Sequence, residues 1–175
     1  MSYRPLTDFW FLARAKLKGG RKYYGAYLGG FPERARAYLG ITCDQPLLHV
    51  CGGMARHYPY AGGFGPNDAT LDLAVETSPD YLQNALEPHP KGYVAKLLDP
   101  PYSPEDAEHY APGREYYPSP SKLMLVALDD MKRGQRVGII HYILPSVRNT
   151  RFVAAVGVCC GFNNRIRVYS VFEKL

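Results

Sequence analysis

The residues best suited to chemistry stand together at Asp99-Pro100-Pro101-Tyr102. The apolar run from Val94 to Leu98 reads as a short buried strand, and the two prolines stop it because they cannot continue a ladder. Asp99 therefore falls where a strand becomes a loop, and in an open α/β sheet ligands bind at the carboxyl ends of the strands. The Asp99 carboxylate and the Pro100 carbonyl are two acceptors on stiff backbone, and Tyr102 adds a flat apolar face. Such a set suits a planar ring bearing an amino group: the acceptors hold its N–H groups while the ring stacks. A Pro-Pro turn capped by a core tyrosine would use the same four residues, so the elements around them must decide.

Two places upstream could hold a nucleotide. Leu47 to Val50 reads as a strand, and Cys51-Gly52-Gly53 follows it at once, offering bare backbone to a ligand. Thr70 to Leu73 reads as the next strand, with Asp72 near its end, where an acid accepts hydrogen bonds from both hydroxyls of a ribose. Gly52 and Asp72 are 20 residues apart, close to the spacing of a dinucleotide fingerprint. An Asp that only caps the following turn is the plainer reading, and Glu76 is a nearby substitute. Residues 54–68 have no helical period, so the connection between these strands is expected to be short or irregular.

The remaining elements form a frame. Pro32 to Leu39 reads as a helix with Pro at its start. Pro79 to Leu82 supplies a third strand, and Pro104 to Tyr110 a solvated helical turn. Ser121 reads as the cap of a helix whose apolar residues run from Leu123 to Met131, ended by Gly134. Val137 to Leu144 is a fifth strand. Phe152 to Cys160 and Ile166 to Phe172 form a hairpin around Gly161-Phe162-Asn163-Asn164.

Composition narrows the class. At 175 residues the chain fits one domain with a real core. No apolar run reaches the length of a membrane span. Asp8, Arg14 and Lys16 interrupt the only N-terminal apolar stretch, which argues against a signal peptide and for a cytoplasmic location. The four cysteines form no C-x-x-C pair and suit reduced core thiols. The five histidines fall into no ligand-spaced pair, so no metal is expected and a metal-dependent nuclease is disfavoured.

Charge is segregated. Residues 1–40 carry eight Lys and Arg against two acids, residues 41–130 five against thirteen, and residues 131–175 eight against one. Basic ends gathered on one face would attract a polyanion. Within residues 1–40, Arg14, Lys16, Lys18, Arg21 and Lys22 alternate with glycines and lead into Tyr23 and Tyr24, a composition able to track phosphates and stack on bases. The division expected is a basic aromatic arm with the first helix over 1–40 and a catalytic domain over 41–175. Simple packing of these aromatics on the domain is the alternative.

The Asp99-Pro100-Pro101-Tyr102 motif resembles that of S-adenosylmethionine-dependent amino-group methyltransferases, above all small phage and bacterial adenine-specific DNA methyltransferases. Similar motifs serve guanine-amine and glutamine-amide methyltransferases. The order of glycine turn, acidic strand end, this motif and C-terminal hairpin matches the family along nearly the whole chain, and Asp8 to Pro32 resembles an arm of its small members. The resemblance implies an α/β fold, a Rossmann-like class I methyltransferase sheet with a C-terminal antiparallel hairpin. It implies S-adenosylmethionine as cofactor, held by Cys51, Gly52, Gly53 and Asp72, with Asn84 standing where the family usually has an Asp near the adenine. It implies catalysis by Asp99, Pro100 and Tyr102 on a flipped base. Adenine N6 in DNA is the first choice of target. RNA, a protein amide, or an inactive cofactor-binding scaffold on nucleic acid are the alternatives. Sequence-specific members usually carry a separate target-recognition region, which is not expected within these 175 residues.

Overall fold

The computed structural model describes residues 3–20, 26–110, 117–161 and 165–175. Its frame is a single eight-stranded sheet. The strands are β1 (Leu6–Leu12), β2 (Leu47–Val50), β3 (Ala69–Asp72), β4 (Tyr81–Leu82), β5 (Ala95–Leu98), β6 (Arg136–His141), β7 (Thr150–Cys160) and β8 (Ile166–Lys174). Their spatial order is β1-β7-β8-β6-β5-β2-β3-β4. Strands β2 to β6 pair in parallel, β8 lies antiparallel between β6 and β7, and β1 runs parallel to β7. The sheet is thus the mixed α/β sheet expected, with the C-terminal hairpin as its reversed element.

Every residue of β2, β3 and β5 is buried. That is the pattern of central parallel strands covered on both faces, and it explains their unbroken apolar runs. Side chains alternate across the sheet. Leu47 and Leu97 pack with Trp10, Phe31, Leu39 and Tyr169 on one face. Leu48, Val50 and Leu98 pack with Leu123, Met124, Leu128 and Phe172 on the other. The first layer is built on helix α1 (Phe31–Leu39) and the second on α3 (Pro120–Asp129); the short α2 (Pro104–Tyr110) follows the Asp99 loop.

The N-terminal segment departs from the expected arm. Residues 6–12 join the sheet as an edge strand, with seven residues in register against β7. The cause lies in a β-prone aromatic run whose alternate members face inward: Trp10 and Leu12 are buried while Phe9 and Phe11 are exposed. Trp10 Nε1 donates to the Asp8 carboxylate at 2.7 Å, which satisfies its polar atom.

Smaller differences have local causes. Helix α3 is capped by Ser119, whose hydroxyl accepts from Lys122 N, and not by Ser121, because Pro120 suits the first helical position. The helix ends at Asp129; Gly134, at φ 84°, instead makes the turn into β6. Strand β6 stops at His141 because its Nδ1 accepts from Ile143 N at 2.9 Å and turns the chain, leaving Ile143 and Leu144 exposed. Only a single turn of 3-10 helix, Ala55–His57, interrupts residues 54–68. The hairpin turn residues Phe162, Asn163 and Asn164 lie outside the described residues. Among the described residues no helix is long and apolar enough to cross a membrane.

Candidate functional site

Because β2 to β6 are parallel, their carboxyl ends share one edge of the sheet. This edge carries Cys51, Gly52 and Gly53 after β2, Asp72 closing β3, Asn84 just past β4, Asp99 to Tyr102 after β5, and His141 closing β6. Three sequence-distant groups proposed for one site therefore converge through topology. The start of β8 reaches the same edge, since His141 pairs with Val168. So does the end of β1, where Leu12 pairs with Cys160. Arg14, Lys16 and Lys18 leave from there, all exposed. Arg21, Lys22, Tyr23 and Tyr24 lie outside the described residues.

At the turn after β2, Cys51 and Gly53 take positive φ angles of 52° and 48°. A Cβ on Gly52 would fall 2.9 Å from both Cβ and the carbonyl oxygen of His49, so only glycine closes this turn without displacing its own strand. The Asp72 carboxylate reaches across: Oδ2 accepts from Gly53 N at 2.8 Å and Oδ1 from Ala74 N at 2.9 Å. Burial raises the Asp72 pKa, and these backbone N–H groups oppose that rise. Each oxygen retains a further lone pair. Asn84 is used as a turn former, its Oδ1 accepting from Leu86 N at 2.8 Å. Burial, then the Asp72 and Asp99 charges, push the Cys51 thiol well up, which keeps it protonated.

Asp99 is the most perturbed acid of the edge. Its backbone N donates to Val50 O at 3.1 Å, continuing the ladder one residue beyond β5 and aiming the carboxylate out of the strand end. Burial raises its pKa to about 6; the Tyr102 hydrogen bond and Arg167 pull it down, and Asp72 pushes it up. The Tyr102 hydroxyl donates to Asp99 Oδ1 at 2.7 Å. Its ring is bordered by His141 at 5.5 Å and Tyr142 at 5.0 Å between centroids. Tyr117 donates to the Tyr102 carbonyl at 3.2 Å and lies 3.4 Å from His141 Nε2. A cleft of about 520 Å³, bounded by Ser103, Asp106, Tyr142, Arg165 and Ile166, opens beside this group.

One residue that sequence reasoning did not single out completes the edge, and two that it placed outward, Tyr27 and Arg36, are buried. Arg167 lies over the Tyr102 ring, 4.9 Å from its centroid. Its only signal was a cation near the start of a β-rich run. Below the β2 turn, Tyr27 contacts His49 Nδ1 at 3.2 Å, His49 Nε2 lies 3.1 Å from Asp68, and Asp68 is ion-paired with Arg36. This buried chain joins four segments, a relation no spacing could reveal. Among the described residues there is no cluster of three metal-binding side chains.

No protein-family model and no curated protein matches the sequence. Solved structures do match its backbone. TrmN from Thermus thermophilus superposes with a TM-score of 0.62 at 16% identity, covering 87% of this chain and 50% of TrmN. The N-methyltransferase NodS from Bradyrhizobium japonicum gives 0.53 at 7% identity, over 81% of this chain and 94% of NodS. The methyltransferase SMU.776, crystallised with S-adenosylhomocysteine, gives 0.52 at 13% identity, over 85% of this chain and 51% of its own. The fold is that of the S-adenosylmethionine-dependent methyltransferases. The chain spans about half the length of TrmN and of SMU.776. The donor set at the edge fits such a cofactor: a turn whose Gly52 and Gly53 carry no side chain, beside an acidic acceptor with lone pairs to spare for a ribose, and a second acceptor group, Asp99, one strand away.

Proposed function

We propose that this chain transfers the methyl group of S-adenosylmethionine to an exocyclic amine of a nucleic-acid base, with adenine N6 in DNA as the first target to test. The observation that carries this reading is the placement of Asp99 and the Pro100 carbonyl at the end of β5, one strand from the Cys51–Gly53 turn and two from Asp72. In this reading Gly52, Gly53 and Asp72 hold the nucleoside half of the cofactor, and Asn84 offers its amide nitrogen to the adenine. The bound cofactor supplies an electrophilic methyl group.

The chain's own groups act on the amine. The Asp99 carboxylate accepts one N–H and the Pro100 carbonyl the other, which orients the nitrogen lone pair away from both acceptors. Positive charge grows on the nitrogen as its bond to carbon forms, and the adjacent carboxylate stabilises it in a site where few waters compete. A carboxyl with a pKa of about 6 is ionised at neutral pH and close enough to take up the released proton before passing it to water.

The test is transfer of a labelled methyl group to DNA, RNA and protein in parallel, with nucleoside analysis of the product. N6-methyladenine in DNA is the expected product. Label confined to RNA or protein relocates the substrate, and cofactor binding without any transfer assigns a scaffold role.

A further inference from the structure

Arg167 is the second residue of β8, an element that carries none of the groups assigned above. Its guanidinium carbon lies 4.9 Å from the centre of the Tyr102 ring, within cation–π range. The same side chain hydrogen-bonds the Tyr142 hydroxyl, and Tyr142 packs on Tyr102 from a second direction. Its Nε is buried and has no hydrogen-bond partner among the described residues. An orphaned donor of this kind opposes folding. A cation kept in such a place is explained by what it holds.

We propose that Arg167 is a positioning residue of this centre: clamped between Tyr102 and Tyr142, its guanidinium fixes the Tyr102 phenol against Asp99 and so sets the orientation and charge of the carboxylate that receives the amine. The inference rests on the reading of Asp99 as that acceptor. The groups facing Asp99 are Tyr102 on its own loop, Arg167 from β8, Asp72 from β3, Cys51 after β2 and Tyr27 ahead of α1. Of these, Arg167 is the only cation. Tyr102 and Arg167 favour the ionised carboxylate, and Asp72 opposes it.

The experiment uses the full chain. The Asp99 carboxyl is followed by carbon-13 NMR against pH, assigned by its loss in Asp99→Asn, in the unmodified protein, Arg167→Met and Arg167→Lys. In Arg167→Met the Asp99 midpoint rises by about one pH unit, the scale set by a neighbouring opposite charge, with thermal stability unchanged or raised. Arg167→Lys returns the midpoint toward its original value. Steady-state methylation follows the same order, its acid limb moving with the midpoint and KM changing less than kcat. A midpoint unmoved in folded Arg167→Met overturns the proposal. A midpoint that moves in a protein without transferase activity keeps the Arg167–Asp99 relation and removes the functional reading instead.

Discussion

The Tyr102 hydroxyl is tied to the Asp99 carboxylate at 2.7 Å, so the ring expected only as a stacking face also tunes the acceptor beside it. Removing that donor leaves a buried carboxylate with one fewer hydrogen bond, and bonds to charged groups are worth about 1.5–3 kcal/mol. The Asp99 midpoint then rises by about one to two pH units. Tyr102→Phe is therefore expected to transfer methyl groups about two- to tenfold more slowly at pH 7 and to recover at higher pH. Single-turnover rates across pH 5–9 check this; a profile identical to the unmodified protein refutes it.

Asp99 itself sets activity against stability. Its pKa is about 6 in the fold against an ordinary 3.8. The folded state therefore binds the proton more tightly. The resulting stabilisation is complete below about pH 4 and is lost as pH rises through 6, a difference on the order of 2–3 kcal/mol. Asp99→Asn should flatten this dependence and raise stability at pH 8 while lowering transfer roughly a hundred- to a thousandfold. Urea denaturation at pH 4 and pH 8 gives the first quantity and labelled transfer the second.

The parts of this molecule that sequence shows well are those set by local pattern. The buried strands around Leu47–Val50 and Ala95–Leu98 carry apolar runs, and Pro100 and Pro101 mark the strand end that places Asp99. The order of the turn, acid and motif then follows from parallel pairing. Other relations depend on distant segments meeting. Trp10 enters the core because β1 finds an edge of β7, where Leu6 pairs with Ala154, 148 residues on by chain number but adjacent in space. Arg167 reaches Tyr102 only because β8 is inserted between β6 and β7. Neither partner carries a local mark of the other.

Asp72 ties two turns together, holding Gly53 N and Ala74 N with its two oxygens. Asp72→Ala removes these and the acceptor offered to a ribose. Calorimetry with S-adenosylhomocysteine is expected to show affinity weakened by about 1.5–3 kcal/mol, with Asp72→Asn intermediate. Unchanged affinity in Asp72→Ala moves the ribose contact elsewhere, Glu76 being the nearest acid in sequence.

Lys96 is fully buried in β5, where it is ion-paired with Asp130 and lies 3.4 Å from His89 Nδ1. Burial lowers its pKa, and Asp130 opposes that shift. Asp130→Ala strands the ammonium, an effect of about 3–5 kcal/mol for a broken buried pair. Replacing both residues, Lys96→Met with Asp130→Leu, should restore much of the loss. A double variant no more stable than Asp130→Ala contradicts this account, and denaturant midpoints decide it.

The loop after β1 offers the clearest test of polymer binding. Deleting the N-terminal residues would remove β1 and the buried Trp10, so point changes are the sharper tool. Lys16 and Lys18 are exposed and alternate with the buried Ala15 and Leu17, which anchor the loop without them. Both lysines leave the sheet at the edge that carries Asp99, four strands from it, so a polymer lying along this edge would pass them. Each phosphate contact contributes about 0.9 to the slope of log affinity against log salt on duplex DNA. The Lys16→Ala, Lys18→Ala double variant should therefore lower that slope by about 2 while leaving S-adenosylhomocysteine affinity and the denaturant midpoint unchanged. Binding curves on a fixed duplex between 50 and 200 mM salt, a range over which several contacts change affinity by about a thousandfold or more, measure it. An unaltered slope would place the polymer on the other basic end of the chain, where Arg165 stands just ahead of β8 at the same edge.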